Sequence, residues 1–433
     1  MKIACLGNMN NMLFQIGRYL IDEKHEVTFF LFDEFDHFLP EADTFENVSS
    51  YDICKLGWNA QSFLKTSRKE IHRLLNGFEI FIGTDWAPAY LFKAGLKLDI
   101  YLPHGSDLYE YPFFKYKNTP PQLWEIPHNI ISKAQFLGIK EANIISLDKS
   151  DDVYEEPLKK IRKKFSDRIS STPYLYLSQY SNEYFKKSEF NDQFVELKNK
   201  YKFIAFQQIS QDWSMRGAYK IDKGNNKLII GFASYLNSNP VFKEDSLLIL
   251  IEYGGDVEKS KKLINELEIS ENVLWFKKMK RKDLMALINI ADICVGELGY
   301  RAWYSYCSIM EFMAMKKPLV HHRNDLLYKS KGMDLYPMID ANTSVQVAET
   351  FIQYRADPDR FLNMGKLAYQ WLLNDTEKKL TCIRSILGKE SKNKNIKFYF
   401  FKKLIYKLNP HILYNYLFVI IYRLKSKIKI KFA

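Results

Sequence analysis

The feature of this sequence that most constrains its fold is a repeated alternation of short apolar runs with helix-like stretches. The alternation runs through two successive cycles. In the first cycle the predicted strands are 2–6, 26–31, 80–82, 100–102 and 143–146, with 174–177 as a further candidate. In the second cycle the predicted strands are 203–207, 246–253, 273–276, 293–295 and 319–321, and the predicted helices between them are 257–267, 281–290 and 308–315. Strands that alternate with helices predict βαβ units and parallel sheets.

Two such cycles predict two doubly wound, Rossmann-like α/β domains that face a cleft. The chain has 433 residues, which is too long for one ordinary domain. We expect an N-terminal domain at 1–198, a second domain at 199–362 and helices at 363–390 that pack back across both. Open sheets of this kind bind ligands at the carboxyl ends of their strands, so the loops after the strands are where function is expected.

The last part of the chain, residues 391–433, differs in charge from the rest. It holds ten lysines and Arg423 and no acidic residue, so it carries +11 of the net charge of +12 and leaves +1 for the other 390 residues. Within 398–408 the apolar residues fall on one helical arc and the lysines on the other, which is typical of a basic amphipathic helix at a membrane surface. The apolar run 412–422 is too short to span a bilayer alone. The alternative is a solvated or partner-binding tail.

Charge and cysteine usage exclude several classes of protein. Because the charge excess lies in the tail, the globular part is not predicted to bind nucleic acid. The five cysteines are scattered and never show CxxC spacing, so neither a disulfide framework nor a zinc site is predicted. The first apolar run is shorter than the core of a signal peptide. We therefore expect a cytoplasmic protein that attaches peripherally to the inner face of the cell membrane, with its tail on anionic lipid.

Two loops of the first domain are candidates for function. Gly7 and Asn8 follow the first predicted strand, where a small residue and an amide let a ligand approach the backbone; an ordinary βα turn is the alternative. The loop lacks GxGxxG spacing, so no dinucleotide site is predicted. His104 and Asp107 follow the predicted strand 100–102, and a histidine there is suited to proton transfer with a sugar hydroxyl. A structural histidine is the alternative.

Two stretches of the second domain are candidates for binding a diphosphate. Arg216 and Lys223 follow the predicted strand 203–207, and fixed cations there would stabilise a leaving diphosphate; solvated loop cations are the alternative. A predicted helix begins at Ser308, and its free amides and positive end suit phosphates. Glu311 in its first turn can accept both hydroxyls of a ribose, or can simply complement the helix dipole. The order of the four stretches, more than any one of them, carries the prediction.

Taken in order, these stretches resemble the GT-B glycosyltransferases of glycosyltransferase family 4, in the branch that builds bacterial surface polysaccharides such as capsule or lipopolysaccharide. The similarity covers residues 203–325, through the runs 250–257, 272–276, 279–284, 291–295 and 311–320. In the first domain it is confined to the Gly7 loop and to residues 104–107.

The resemblance implies a part for each candidate residue. His104 resembles the histidine beside the transferred sugar and the acceptor, and Lys223 and Arg216 resemble the cations on the donor diphosphate. Glu311 resembles the second glutamate of the family's Glu-x7-Glu motif, which binds the ribose. The remaining donor-binding residues would be Glu311's neighbours Ser308, Ile309 and Met310, together with Lys277, Met279, Gly254 and Gly255, and the acceptor-side loop would hold Gly7, Asn8 and Asp107.

The resemblance also implies the reaction, a retaining hexosyl transfer from a nucleotide sugar to a lipid-linked or surface-polysaccharide acceptor, without a metal or other cofactor. The sequence has no Asp-x-Asp metal motif between the two domains. It departs from the family at Trp303, which stands where the first glutamate of the motif is expected. Two alternatives stay open, namely a catalytically silent GT-B subunit that partners an active transferase, and a sugar-nucleotide epimerase.

Overall fold

The computed structural model describes residues 1–32, 36–115, 122, 125–147, 154–162, 168–169, 172–214, 222–299 and 307–390. The chain forms two compact units. The first unit is made of Met1–Leu39, Ser49–Thr172 and the chain from Lys379 onward, and the second of Pro40–Val48 and Pro173–Lys378. Residues 40–48 and 173–198, which the sequence division assigned to the N-terminal domain, therefore group with the second unit.

The first unit is built on a parallel β-sheet. Its described strands are β1 (Lys2–Leu6), β2 (Glu26–Leu31), β3 (Asp52–Lys55), β4 (Ile80–Gly83), β5 (Ile100–Tyr101), β6 (Ile144–Ser146) and β7 (Arg168–Ile169). They lie in the order β3-β2-β1-β4-β5-β6-β7, and every neighbouring pair is parallel. The helices are α1 (Met12–Asp22), α2 (Arg68–Leu74), α3 (Ala87–Ala94), α4 (Ser106–Tyr109), α5 (Glu125–Glu141) and α6 (Glu155–Ile161). Strand order reverses between β1 and β4, which makes that point the topological switch of the sheet.

The second unit repeats this arrangement. Its described strands are β8 (Phe203–Gln207), β9 (Ser246–Glu252), β10 (Val273–Lys277), β11 (Ile293–Val295), β12 (Leu319–His321) and β13 (Ile339–Asp340). Their order is β10-β9-β8-β11-β12-β13, again all parallel, so the switch lies between β8 and β11. The helices are α7 (Asn182–Phe185), α8 (Asn191–Lys200), α9 (Asn225–Ser238), α10 (Pro240–Asp245), α11 (Val257–Glu266), α12 (Arg281–Ile290), α13 (Cys307–Ala314), α14 (Asp325–Ser330), α15 (Ser344–Ala356) and α16 (Pro358–Glu390).

Both faces of the second sheet are buried, as expected for a parallel sheet covered by helices. Side chains alternate along a strand, so Ile204 and Phe206 of β8 pack into one apolar cluster and Phe203 and Ala205 into another. A fully buried isoleucine or phenylalanine side chain contributes about 1.5–3 kcal/mol. Since the strands themselves are committed to the core, polar side chains with a function are confined to the loops that follow them.

The structure differs from the sequence expectations in a few elements. Residues 174–177 do not form a strand; Leu175 and Leu177 instead pack into the core of the second unit. The last long helix begins at residue 358 rather than 363 and runs into the first unit from Lys379 onward. Within the described residues, no helix is long and apolar enough to cross a bilayer. The predicted amphipathic segment at 391–433 lies outside the described residues.

Candidate functional site

A largely buried ion pair lies at the switch point of the second sheet. Glu297 follows β11, and its Oε1 lies 3.2 Å from Nζ of Lys223, with the two side chains only 11% and 23% exposed. Burial raises the pKa of Glu297, and the Lys223 ammonium opposes that shift. An ammonium has three donors and a carboxylate about four acceptor positions, so each partner keeps capacity for a ligand.

The backbone around Lys223 is fixed on two sides. Its amide donates to the carbonyl of Asp212 at 2.8 Å, and its own carbonyl accepts from the amide of Leu298 at 3.0 Å. Helix α9 begins two residues later, and Asn225 in its first turn donates to Gln207 Oε1 at 2.9 Å. A fixed cation therefore lies beside a helix start, where the first amides have no partner within the helix. This combination suits an anionic ligand such as a diphosphate.

Glu311 lies in a second polar network of the same unit. Its Oε1 is 2.9 Å from Nε of Arg281, and its Oε2 accepts from Gln208 Nε2 at 2.5 Å. Arg281 also contacts Asp43, with 2.8 Å between Nη1 and Oδ1. Burial raises the pKa of Glu311, and the Arg281 guanidinium opposes that shift. The predicted ribose-binding carboxylate is therefore held by two neighbours, and each of its oxygens keeps one lone pair.

Of the other predicted residues of helix α13, Ile309 and Met310 could contact a donor only through their backbone amides. The side chains of Ile309 and Met310 are buried in the apolar core, at 1% and 4% exposure, so they cannot contact a donor. Ser308 is half-buried. Their amides lie in the first turn of the helix, where intrahelical partners are lacking.

The predicted glycines after β9 bring two loops together. Gly254 has a φ of +114°, and a Cβ there would lie 2.4 Å from the amide nitrogen of Gln211. The amide of Gly255 donates to Asp212 Oδ1 at 2.8 Å. Both glycines therefore serve this close approach of two loops. Lys277 and Met279, predicted to lie beside the base, are found at and just after the carboxyl end of β10, the first exposed and the second half-buried.

The candidate loop after β1 in the first unit is internally bonded. Gly7 has a φ of +87°, and a Cβ there would lie 2.8 Å from Thr84 Cγ2. Asn8 donates through Nδ2 to Asn11 at 2.7 Å and to the carbonyl of Phe38 at 2.8 Å, and its Oδ1 accepts from the amide of Phe14. Asn8 is thus used to hold the loop in place.

The turn after β5 is organised by Asp107. Its Oδ1 accepts from the amides of His104 and Gly105 at 2.8 and 3.0 Å, and its Oδ2 accepts from the amide of Asp85 at 3.2 Å. Burial raises the pKa of Asp107 to about 6. Asp107 therefore shapes the turn on which His104 is presented.

His104 is kept neutral by its surroundings. Burial lowers the pKa of its imidazole to about 4. Its Nε2 is shielded from water and has no hydrogen-bond partner in the described part of the chain. A neutral imidazole with an unused nitrogen can exchange a hydrogen bond with a hydroxyl group.

Two residues named by the sequence lie outside the described residues, Arg216 in 215–221 and Trp303 in 300–306. Sequence reasoning missed Gln208, Arg281 and Asp43 as parts of the site. The available signal was weak: Gln208 directly follows a strand, but Arg281 is separated from Asp43 by 238 residues. Among the described residues, no cluster of three or more histidine, cysteine or acidic side chains could hold a metal ion.

No protein-family model and no curated protein sequence matches the chain. Solved structures do match it. HepE from Anabaena in complex with UDP and glucose aligns with a TM-score of 0.54 at 12% identity, over 89% of this chain and 100% of that one. Sucrose-phosphate synthase from Thermosynechococcus elongatus aligns with a TM-score of 0.55 at 12% identity, over 90% and 100%.

The chain has the GT-B fold. A protein described with a different activity also matches the chain. A putative UDP-N-acetylglucosamine 2-epimerase from Listeria monocytogenes aligns with a TM-score of 0.51 at 11% identity, over 90% of this chain and 96% of that one. At such identities the GT-B likeness establishes the fold, and the function has to be argued from the side chains.

Proposed function

We propose that the protein is a glycosyltransferase that uses a nucleotide sugar as donor. The observation that carries the proposal is the buried Lys223–Glu297 pair at the switch point of the second sheet, beside the start of α9. A cation in that position neutralises the charge that develops on a departing diphosphate. HepE is described in complex with UDP and with UDP-glucose, which makes UDP the first nucleotide to test.

In the proposed reaction the bond between the anomeric carbon and the diphosphate oxygen breaks, and a bond between that carbon and an acceptor hydroxyl oxygen forms. The electron pair of the breaking bond stays on the diphosphate, next to Lys223. The hydroxyl proton passes to the leaving diphosphate, and the transfer proceeds with retention and without a metal. His104, neutral at the pH of a cell, would hydrogen-bond the reacting sugar or acceptor.

The acceptor and the location are also part of the proposal. We expect a lipid-linked glycan or a surface-polysaccharide precursor as acceptor, because the ten lysines of 391–433 suit an anionic membrane surface. This would hold the enzyme at the cytoplasmic face of the membrane, in line with the resemblance to family 4 of surface-polysaccharide synthesis.

The test is donor turnover by the purified chain with bacterial lipid-linked glycans as acceptors and UDP, GDP, CDP and ADP sugars as donors. Acceptor-dependent release of one nucleoside diphosphate, lost in Lys223→Met and kept in the exposed-surface control Lys262→Met, is the expected result. Binding of a nucleotide without turnover of any donor would instead support a silent subunit.

A sugar-nucleotide epimerase is the second candidate, and the match to the Listeria protein favours it. The two activities differ in whether they need an acceptor. An epimerase converts the nucleotide sugar without an acceptor and releases no nucleoside diphosphate as product, so NMR of the sugar after incubation without acceptor separates them.

A further inference from the structure

Glu297 is a buried carboxylate beside the cation that the proposed function assigns to the diphosphate. It follows β11 at the switch point of the second sheet. Within the described residues, Lys223 is the cation that contacts it, at 3.2 Å between Nζ and Oε1. Glu297 and a bound diphosphate would therefore compete for the same ammonium group.

The two loops that carry this ion pair pack backbone against backbone. The carbonyl of Lys223 accepts from the amide of Leu298 at 3.0 Å. A Cβ at Gly299 would overlap the backbone just before Lys223, and a Cβ at Gly224 would lie 2.7 Å from the carbonyl carbon of Leu298. The two loops approach this closely because both positions are glycine. These contacts hold the loops together, so Glu297 stays beside Lys223 when a ligand binds.

The other titratable groups that face Glu297 cannot take the place of Lys223. Burial raises the pKa of Glu297, and the like charge of Asp222, which precedes Lys223 in the chain, adds to that shift. His321 at the end of β12 is neutral, because burial lowers its pKa to about 3. Tyr253 after β9 is also neutral, because burial raises its pKa to about 12. Within the described residues, the carboxylate therefore depends on one ammonium.

We propose that Glu297 is the resident counter-ion of the donor site, and that it takes up a proton from solvent when a diphosphate binds to Lys223. Before binding, the carboxylate holds the ammonium in place. One ammonium cannot neutralise both the carboxylate and the diphosphate, and the carboxyl group is the one that can be protonated. The proton comes from the buffer and returns to it when the diphosphate leaves. This inference deepens the proposed function and rests on it.

Donor affinity should depend on pH in one direction. A bound diphosphate disfavours the ionised form of Glu297, so affinity is highest where Glu297 is already protonated in the free protein. Affinity falls as the pH rises through the pKa that Glu297 has in the free protein, and it levels off above the pKa that Glu297 has in the complex. Between these two pKa values, binding is accompanied by proton uptake.

Titration calorimetry of the full chain measures this proton directly. The glucose esters of UDP, GDP, CDP and ADP serve as probes, because a diphosphate esterified at both ends has no ionisation of its own near neutral pH. The tightest of the four is titrated in two buffers of different ionisation enthalpy, over a series from pH 5 to pH 9. We expect the apparent binding enthalpies in the two buffers to differ in the direction of proton uptake by the wild type over part of this series.

Variants of Glu297 identify the group that takes up the proton. Glu297→Gln cannot be protonated, so the uptake should disappear. At the alkaline end of the series this variant should bind about tenfold more tightly than the wild type, since a neighbouring charge shifts a carboxyl pKa by about one unit and one unit is a tenfold change in affinity. Glu297→Asp keeps a carboxylate and should keep the uptake. Glu266→Gln, which removes an exposed pair with Lys262, should behave as the wild type.

The possible results separate the role of Glu297 from the proposed function. Binding of none of the four nucleotide sugars by the wild type would overturn both. Binding without proton uptake at any pH of the series, or uptake that persists in Glu297→Gln, would overturn the role of Glu297 alone. The same holds if Glu297→Gln binds more weakly than the wild type at the alkaline end with an unchanged melting temperature, because Glu297 would then orient Lys223 without competing for it.

Discussion

Replacing Lys223 by methionine tests how much the buried ion pair contributes to the free energy of unfolding. At 3.2 Å and an effective dielectric constant of about 20, the attraction between Lys223 and Glu297 amounts to about 5 kcal/mol. Desolvation offsets part of it and Lys223 is partly exposed, so we expect a net loss of about 2–3 kcal/mol. In a unit of this size that lowers the melting temperature by roughly 5–10 °C.

The loss should depend on pH in a defined direction. The folded-state pKa of Glu297 is raised above its ordinary value, so its contribution to stability is present at low pH and is lost as the pH rises through the folded pKa. Removing the Lys223 cation raises that pKa further. The destabilisation of Lys223→Met relative to wild type should therefore grow as the pH rises, and be larger at pH 8 than at pH 5.

Differential scanning calorimetry at the two pH values measures this directly. Lys223→Met/Glu297→Gln should regain most of the stability at pH 8, because no buried charge is then left alone. Lys262→Met, which breaks an exposed pair with Glu266, should change the melting temperature little at either pH. An equal loss at pH 5 and pH 8, or a double variant no better than the single one, would refute the electrostatic account.

Three further predictions concern other parts of the chain. His104→Asn should lower kcat about tenfold at an unchanged melting temperature, because it removes one hydrogen bond to the reacting sugar or acceptor; steady-state kinetics and calorimetry of the purified variant measure both. Burial would raise the pKa of Asp256, but hydrogen bonds from Ser214 and Trp213 outweigh it and lower that pKa to about 2. Thermal unfolding of Asp256→Asn should show a loss of about 1–2 kcal/mol in the free energy of unfolding at pH 7, and this loss should shrink as the pH falls below 4 toward 2. Deleting 391–433 should abolish co-sedimentation with anionic vesicles while turnover of a soluble acceptor fragment continues; unchanged sedimentation would refute a lipid-binding tail.

The long, strongly apolar strands could be predicted from the sequence. β1, β2 and β8 were predicted with their exact bounds because most of their residues are apolar and rich in β-branched or aromatic side chains. β3 was missed, since its sequence Asp-Ile-Cys-Lys has a charge at each end and lies at the sheet edge. Residues 174–177 show the reverse error, because their aromatic pattern fits a strand but is satisfied by packing into the core.

The site was predictable to a smaller extent. Lys223 and Glu311 could be named as candidates because Lys223 lies just before α9 and Glu311 lies in the first half of α13, at the expected edge of the sheet. Their partners could not, since an ion pair depends on three-dimensional proximity and Glu297 lies 74 residues after Lys223 in the sequence. Asp43 was still harder to predict from the sequence, because its segment precedes the whole second cycle of strands and helices.

The membership of Pro40–Val48 in the second unit limits how this protein can be divided. A fragment that begins at residue 173 carries all the strands of the second sheet but leaves out Asp43 and Phe45. Arg281 would then lose its ion pair with Asp43, and the aromatic face of Tyr184, 4.8 Å from the ring of Phe45, would be exposed. The second unit is therefore not complete without a segment from the first 50 residues of the chain. Chimeras that graft it onto another N-terminal half must transplant this nine-residue insertion as well, or supply it as a separate peptide.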